Sequence, residues 1–238
     1  MQTRRLSSST WMLTHFKAVN VYLVSEPDGY TLIDTGMPGA GKSILYTATI
    51  LQATIRRIVL THSHADHAGS VDALAAALPG ATLHWGKREA SLMAGDLSLE
   101  PGEAQVRIPG NFVAVKSAPA QLLSEGDRVG SLEAIAVPGH TPGQLAFLNH
   151  EDGTLIAGDA FTSFGGLRVV HDGPWYFPFA KWPTWHPPTA LASARKLVAL
   201  RPTRIAVGHG PACDPAERSL TAALEHAARR SLVARHAA

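Results

Sequence analysis

From residue 61 to residue 69 the chain reads Thr-His-Ser-His-Ala-Asp-His-Ala-Gly, so His62, His64, Asp66 and His67 fall within six residues. Imidazole and carboxylate are the donors a zinc-type ion takes when no thiolate is offered. The only cysteine is Cys213, which leaves neither an intrachain disulfide nor a cysteine zinc cluster available. His62, His64 and Asp66 alternate in a way that does not suit one helix face, whereas a loop at the end of a strand can aim them at a common point. Asp66 and His67 are adjacent and so point differently, which is what a second, neighbouring ion needs. The bland reading of the same run is a histidine-rich surface tract.

The surrounding sequence supplies elements that could position such a cluster. Val19–Val24 and Tyr30–Ile33 read as strands about a Pro27-Asp28-Gly29 turn, and Arg57–Leu60 is a β-branched run entering the histidine cluster. Ser43–Gln52 and Ser70–Leu78 read as helices, the second ending at Pro79-Gly80. Thr82–Trp85 is a further short strand. The second half repeats the rhythm, with strands at Ser131–Val137, Gln144–Leu148, Thr154–Ala157 and Arg204–Val207 and a helix at Thr189–Leu200. A last helix starts near Pro215, with Asp214 as its expected N-cap. Residues 94–120 lack periodicity and read as a loop or insertion. No linker or low-complexity segment interrupts residues 1–238, which are read as a single domain.

Composition fits this reading. The chain has 238 residues, 45% hydrophobic and 17% charged, enough apolar content to bury a sizeable core. A net charge of +2 without a lysine or arginine run gives no support to nucleic acid as a partner. The first residues lack the apolar stretch of a signal peptide, and no run approaches a membrane span. The expectation is a cytoplasmic enzyme acting on a small molecule, with no membrane partner.

With the later histidines included, the chain resembles the metallo-β-lactamase superfamily. His62-Ser63-His64-Ala65-Asp66-His67 is similar to the family signature. Leu32-Ile33-Asp34-Thr35-Gly36 precedes it, and Pro138-Gly139-His140-Thr141-Pro142-Gly143, Gly158-Asp159 and Gly208-His209-Gly210 follow in the family's order. The resemblance implies a four-layer αββα sandwich of α/β class with metals at one edge between the sheets. It implies one ion among His62, His64 and His140, another among Asp66, His67 and His209, and Asp159 bridging both. The ions would be divalent, zinc first, with iron or manganese as the other candidates. Two such ions about 3.5–4 Å apart can acidify a shared water and clamp the attacking and leaving oxygens. The resemblance gives Asp66 the catalytic task of orienting that water and passing a proton, and gives Asp34 a structural one beneath the site.

The implied reaction is hydrolysis of an ester, lactone or thioester. Departures narrow it: true β-lactamases of the family lack the bridging carboxylate that Asp159 supplies, and its flavin-linked diiron reductases carry glutamate at the position of His64. Glyoxalase II enzymes carry a large helical domain after the last histidine, where this chain has room for one helix. Several acyl-homoserine-lactone hydrolases place a tyrosine where this chain has Thr162. Persulfide dioxygenases, with a single iron, are the rival within the family.

A rival of another class comes from Gly36-Met37-Pro38-Gly39-Ala40-Gly41-Lys42-Ser43, which satisfies the phosphate-loop pattern and would make the chain a nucleotide-binding protein. Against it, the residues before it belong to the metallohydrolase pattern, and no second acidic motif for magnesium is evident.

Phe161–Pro188 mixes prolines and aromatics without period and is expected to form a substrate pocket wall or a homodimer contact. Thr162, Trp175, Tyr176, Phe177, Trp182, Trp185 and His186 are its candidate substrate contacts. His171 could also reach substrate, His84 reads as a core or rim histidine, and His15, His150, His226 and His236 read as surface residues.

Overall fold

A computed structural model describes residues 1–236, with side chains described through Arg230, so His236 lies outside the described side chains. The N-terminal half builds a seven-stranded sheet. β1 (Gln2–Arg5), β2 (Thr10–His15), β3 (Val19–Glu26) and β4 (Gly29–Ile33) pair antiparallel in sequence order. β5 (Ile55–Val59), β6 (Thr82–Gly86) and β7 (Gln121–Leu123) then add in parallel. Parallel neighbours need long crossovers, which here carry α1 (Gly41–Ile50), the short α2 (Ala65–Ala68) with α3 (Val71–Ala77), and α4 (Lys87–Met93).

The C-terminal half builds a five-stranded sheet. β8 (Arg128–Val129), β9 (Leu132–Ala136), β10 (Leu145–Asn149) and β11 (Thr154–Ile156) pair antiparallel. A small ribbon of β12 (Phe161–Thr162) and β13 (Arg168–Val169) and helix α5 (Pro187–Ala199) follow, and then β14 (Arg204–Ala206) joins β11 in parallel. The last helix, α6 (Ala216–His236), starts after Pro215, and the Asp214 carboxylate is held by Arg204 Nη2 at 2.6 Å.

Side-chain alternation along the strands makes the layers. On the first sheet Leu13, Val21, Leu23, Leu32 and Ile58 pack against Ile44 of α1 and Leu74 of α3. Their neighbours Met12, Tyr22, Val24, Ile33 and Val59 face the second sheet, where they meet Leu132, Ala134, Leu145, Phe147, Ile156 and Ala206. The other face of that sheet, with Ile135, Ala146, Leu155 and Ile205, packs on Ala194 and Leu197 of α5 and Leu220 and Ala223 of α6. The central strands of both sheets are thus buried on both faces, which is why they read as continuous apolar runs. The order is helix, sheet, sheet, helix, an αββα sandwich of the metallo-β-lactamase type.

Phe161–Pro188 is not one open loop. Phe161, Leu167 and Val169 belong to the core under α5 and α6, and Trp185 packs with Leu92 and Ile108.

Candidate metal centre

Every donor-bearing segment starts at the C-terminal end of a strand. β5 leads into His62–His67, β9 into His140, β11 into Asp159 and β14 into His209, while β4 leads into Asp34. β9, β11 and β14 run in one direction, so the second sheet presents its donors at one edge. His64 is extended (φ −65°, ψ 150°), and the chain turns helical at Ala65. That switch points Asp66 and His67 away from the line of His62 and His64.

The side chains converge. Candidate ligand atoms lie within 4.8 Å of one another in each of three sets: His62, His64 and His140; His62, His67 and Asp159; and Asp66, His67 and His209. Asp159 Oδ2 is 3.1 Å from His209 Nε2 and 3.5 Å from His140 Nε2, and its Oδ1 is 3.4 Å from His67 Nε2. Asp66 Oδ2 is 3.2 Å from His209 Nε2. Of the seven donors only Asp66 is not fully buried; its side chain is 31% exposed.

The arrangement suits divalent cations. His62 Nε2 is buried and has no hydrogen-bond partner, a state that costs about 1–3 kcal/mol unless a ligand satisfies it. Burial, reinforced by neighbouring imidazoles, pushes His62 well below its ordinary pKa. Burial likewise takes His64 to about 4 and His140 to about 3, against the opposing pull of the nearby carboxylates. These rings are neutral at pH 7 and offer lone pairs. At His209 burial also lowers the pKa, but Asp159 and Asp66 outweigh it and raise it to about 10; the same balance, with Asp34 added, raises His67 well above its ordinary value. Burial pushes Asp66 and Asp159 upward, yet His67 and His209 hold both below the usual carboxylate range.

Outer contacts fix the rings. Asp34 Oδ2 lies 2.8 Å from His67 Nδ1, and the same carboxylate accepts from Thr61 N–H at 2.7 Å and Thr61 Oγ1 at 2.8 Å. Such carboxylate–histidine contacts orient ligand rings and set their tautomer. His209 Nδ1 meets the Ala18 carbonyl at 2.9 Å, and Asn20 Nδ2 and Tyr22 Oη both donate to the Val207 carbonyl, bracing the His209 loop from β3. Gly208 passes so close that a Cβ there would sit 2.1 Å from Asp159 Oδ1. Gly110 (φ +125°) similarly lets its loop pass the His64 ring, where a Cβ would stand 2.1 Å from Nε2.

A cavity of about 540 Å³ opens over the donors, lined by Met37, Pro38, Asn111, Phe177, Phe179 and Pro183 together with His64, Asp66, His140, Asp159 and His209. Of the aromatic segment's candidates, Phe177 is on this wall, and its ring centroid is 5.2 Å from that of His209. The others sit elsewhere. Trp175, Tyr176 and Trp182 are 85%, 56% and 74% exposed. Trp185 is buried, its indole N–H donating to Val106 O at 3.1 Å, so it anchors the 94–120 segment. Thr162 is buried behind the site with Oγ1 3.3 Å from His209 O. His186 precedes α5 with Nδ1 2.6 Å from Thr189 Oγ1, and His171 lies beside Asp172. His84 is buried with Nε2 2.8 Å from Thr82 Oγ1. Phe179, Asn111 and Met37 are wall residues that sequence reading did not single out.

The glycine-rich turn at 36–43 is occupied by the chain itself. Gly41 N–H donates to Ser70 Oγ at 3.1 Å, Ser70 Oγ donates to Met37 O at 2.7 Å, and Thr35 N–H donates to His67 O at 2.6 Å. The turn clamps the segment that carries His67.

Comparison with known proteins agrees with this architecture. The sequence model of the metallo-β-lactamase superfamily matches residues 16–209, and the chain belongs to that superfamily. It is 43% identical to the protein YobT of Bacillus subtilis over 88% of this chain and 92% of that one. It is 30% identical to a hydroxyacylglutathione hydrolase of Aeromonas hydrophila over 65% of this chain and 51% of that longer protein. Among solved structures it is similar to TTHA1623 in a di-iron-bound form, with TM-score 0.63 and 28% identity, covering 87% of this chain and 94% of the other. A metallo-β-lactamase from Pontibacter korlensis shares the fold at TM-score 0.70 and 17% identity, over 95% and 98% of the two chains. Among the described residues no helix is long and apolar enough to cross a membrane.

Proposed function

We propose that the protein is a hydrolase of esters, lactones or thioesters that works with two divalent metal ions. The observation that carries this is the convergence of six buried donors and the half-buried Asp66, five of which line one cavity. His62, His64 and His140 would hold one ion, Asp66, His67 and His209 the other, and Asp159 would be shared. When bound, such a pair supplies a water acidified toward neutrality and polarises the scissile carbonyl.

The rest is the work of the chain's own groups. Asp34 fixes the His67 ring through Nδ1, and the Ala18 carbonyl fixes His209 the same way. Asp66, opening onto the cavity, orients the attacking water and carries its proton to the leaving group. Phe177 and the exposed Phe179 and Met37 line the cavity and offer apolar surface to the substrate. Zinc is the first choice of metal, and the di-iron form of TTHA1623 makes iron the first alternative.

A panel of simple esters, lactones, glutathione thioesters and β-lactams, each with and without chelator, tests the reading. It predicts chelator-sensitive turnover of at least one of the first three classes. Turnover confined to β-lactams, or none at all in metal-replete protein, would refute it.

A further inference from the structure

Glu89 lies on α4, outside every motif described above, and is 0% exposed. Its two carboxylate oxygens grip two different loops. Oε2 accepts the Ser63 N–H at 2.8 Å and the Ser63 hydroxyl. Oε1 accepts the Thr141 hydroxyl at 2.6 Å and the Gly143 N–H at 3.0 Å. Ser63 stands between His62 and His64, and Thr141 follows His140. The grip is tight enough that a Cβ on Gly143 would lie 2.9 Å from Glu89 Oε1 and 2.7 Å from its backbone nitrogen.

A buried carboxylate is costly unless fully hydrogen-bonded, and these four donors come from the two loops that carry the three-histidine set His62, His64 and His140. The other set is braced differently: His67 by Asp34 and the 35–41 turn, His209 by Ala18 and the β3 residues Asn20 and Tyr22. None of the Glu89 hydrogen bonds reaches those segments.

Resting on the two-metal reading, we propose that Glu89 is a positioning residue that sets the spacing of the His62–His64 loop and the His140 loop, and so selectively tunes the ion held by His62, His64 and His140. Apart from Glu89, the two segments also meet where the Leu145 N–H donates to Thr61 O at 2.8 Å and where His64 Nδ1 lies 2.9 Å from His140 Nε2, but the Glu89 carboxylate alone gathers four donors from both loops. Removing its carboxylate therefore weakens one ion site while sparing the other.

The test titrates zinc into metal-free wild type, Glu89→Ala and Glu89→Gln against a chromophoric chelator, with thermal melts of each metal-free protein. A control variant, Glu103→Gln, disturbs α4 through its Arg88 ion pair without touching either ligand loop. Wild type is expected to take up two ions. Glu89→Ala should retain one site near wild-type affinity and weaken the other about tenfold or more, the scale of lost outer contacts. Glu89→Gln keeps the shape and part of the hydrogen bonding, so it should fall between the two. Glu103→Gln should lower the melting temperature without splitting the affinities. Should Glu89→Ala fail to fold, the smaller loss at one site in Glu89→Gln decides the matter. Equal weakening of both sites, or none in either variant, overturns the assignment of Glu89. A wild type that binds fewer than two ions overturns instead the two-metal reading on which it rests.

Discussion

His209 Nε2 lies 3.1 Å from Asp159 Oδ2, although the two residues follow different strands, β14 and β11. The parallel pairing of those strands, with Ile156 opposite Ala206, brings the two loops to the same edge. Gly208 then leaves room for the contact. The sheet register thus sets the distance between His209 and Asp159.

Asp159 is therefore the most sensitive position. Asp159→Ala should lower hydrolysis about 100-fold or more, since even outer contacts to metal ligands are worth about 10–100-fold. Asp159→Asn should retain more metal than alanine and still lose most turnover, because an amide carries no charge to offset two dications. Steady-state rates beside metal content measure this, and near-normal turnover in the alanine variant would mean the two ions are not coupled.

The two donor sets also differ in protonation. The carboxylates of Asp159 and Asp66 raise His67 and His209 above their ordinary pKa, His209 to about 10, which favours the protonated rings in metal-free protein. His62, His64 and His140 are lowered and neutral there. Ion uptake by the first pair must expel protons, so affinity at that site rises with pH up to about 10. Uptake at the three-histidine set, whose rings burial holds below their ordinary pKa (His64 at about 4, His140 at about 3), should release few protons and vary little with pH near neutrality. Calorimetry in two buffers of different ionisation enthalpy would report the released protons, and a binding curve with no proton release contradicts this electrostatic picture.

Wall and surface aromatics should separate cleanly. Phe177→Ala and Phe179→Ala should lower kcat/KM for an apolar substrate about five- to tenfold with metal content unchanged, a loss of binding rather than of chemistry. Trp175→Ala and Trp182→Ala, outside the cavity lining, should leave it nearly unchanged. If those exposed residues instead form a homodimer contact, the same variants lower the mass in solution, which light scattering reads directly.

Because the 36–43 turn spends the Gly41 N–H and the Met37 carbonyl on Ser70, it is expected to cradle no phosphate beside the exposed Lys42. Lys42→Ala should change hydrolysis by no more than about twofold, the range of an ordinary surface substitution. Magnesium-dependent ATP binding abolished by this variant would show the turn to be a nucleotide site after all.

What could be read from sequence was what repeats locally. The central strands announce themselves as apolar runs because both their faces are buried, and the donor motifs stand at the ends of those runs. β1, β2 and α4 were not visible. Gln2–Arg5 is an exposed polar edge with no apolar face, and Lys87–Met93 is too short to show a helical period. Glu89 escaped notice for the same reason, since nothing in Lys-Arg-Glu-Ala tells a buried clasp from a surface carboxylate. The aromatic segment misled by composition. Trp185 is consumed in anchoring the 94–120 segment and Phe161 in the core, so only part of it faces the cavity.

The central claim is that the seven donors hold two ions that together sustain hydrolysis. Metal analysis of protein purified without chelator, run beside an activity titration as metal is returned to the stripped protein, tests it directly. The account predicts close to two transition-metal ions per chain, with turnover reaching its plateau only as the second is bound. One tightly held iron with full activity and no second site would contradict it and favour the dioxygenase alternative.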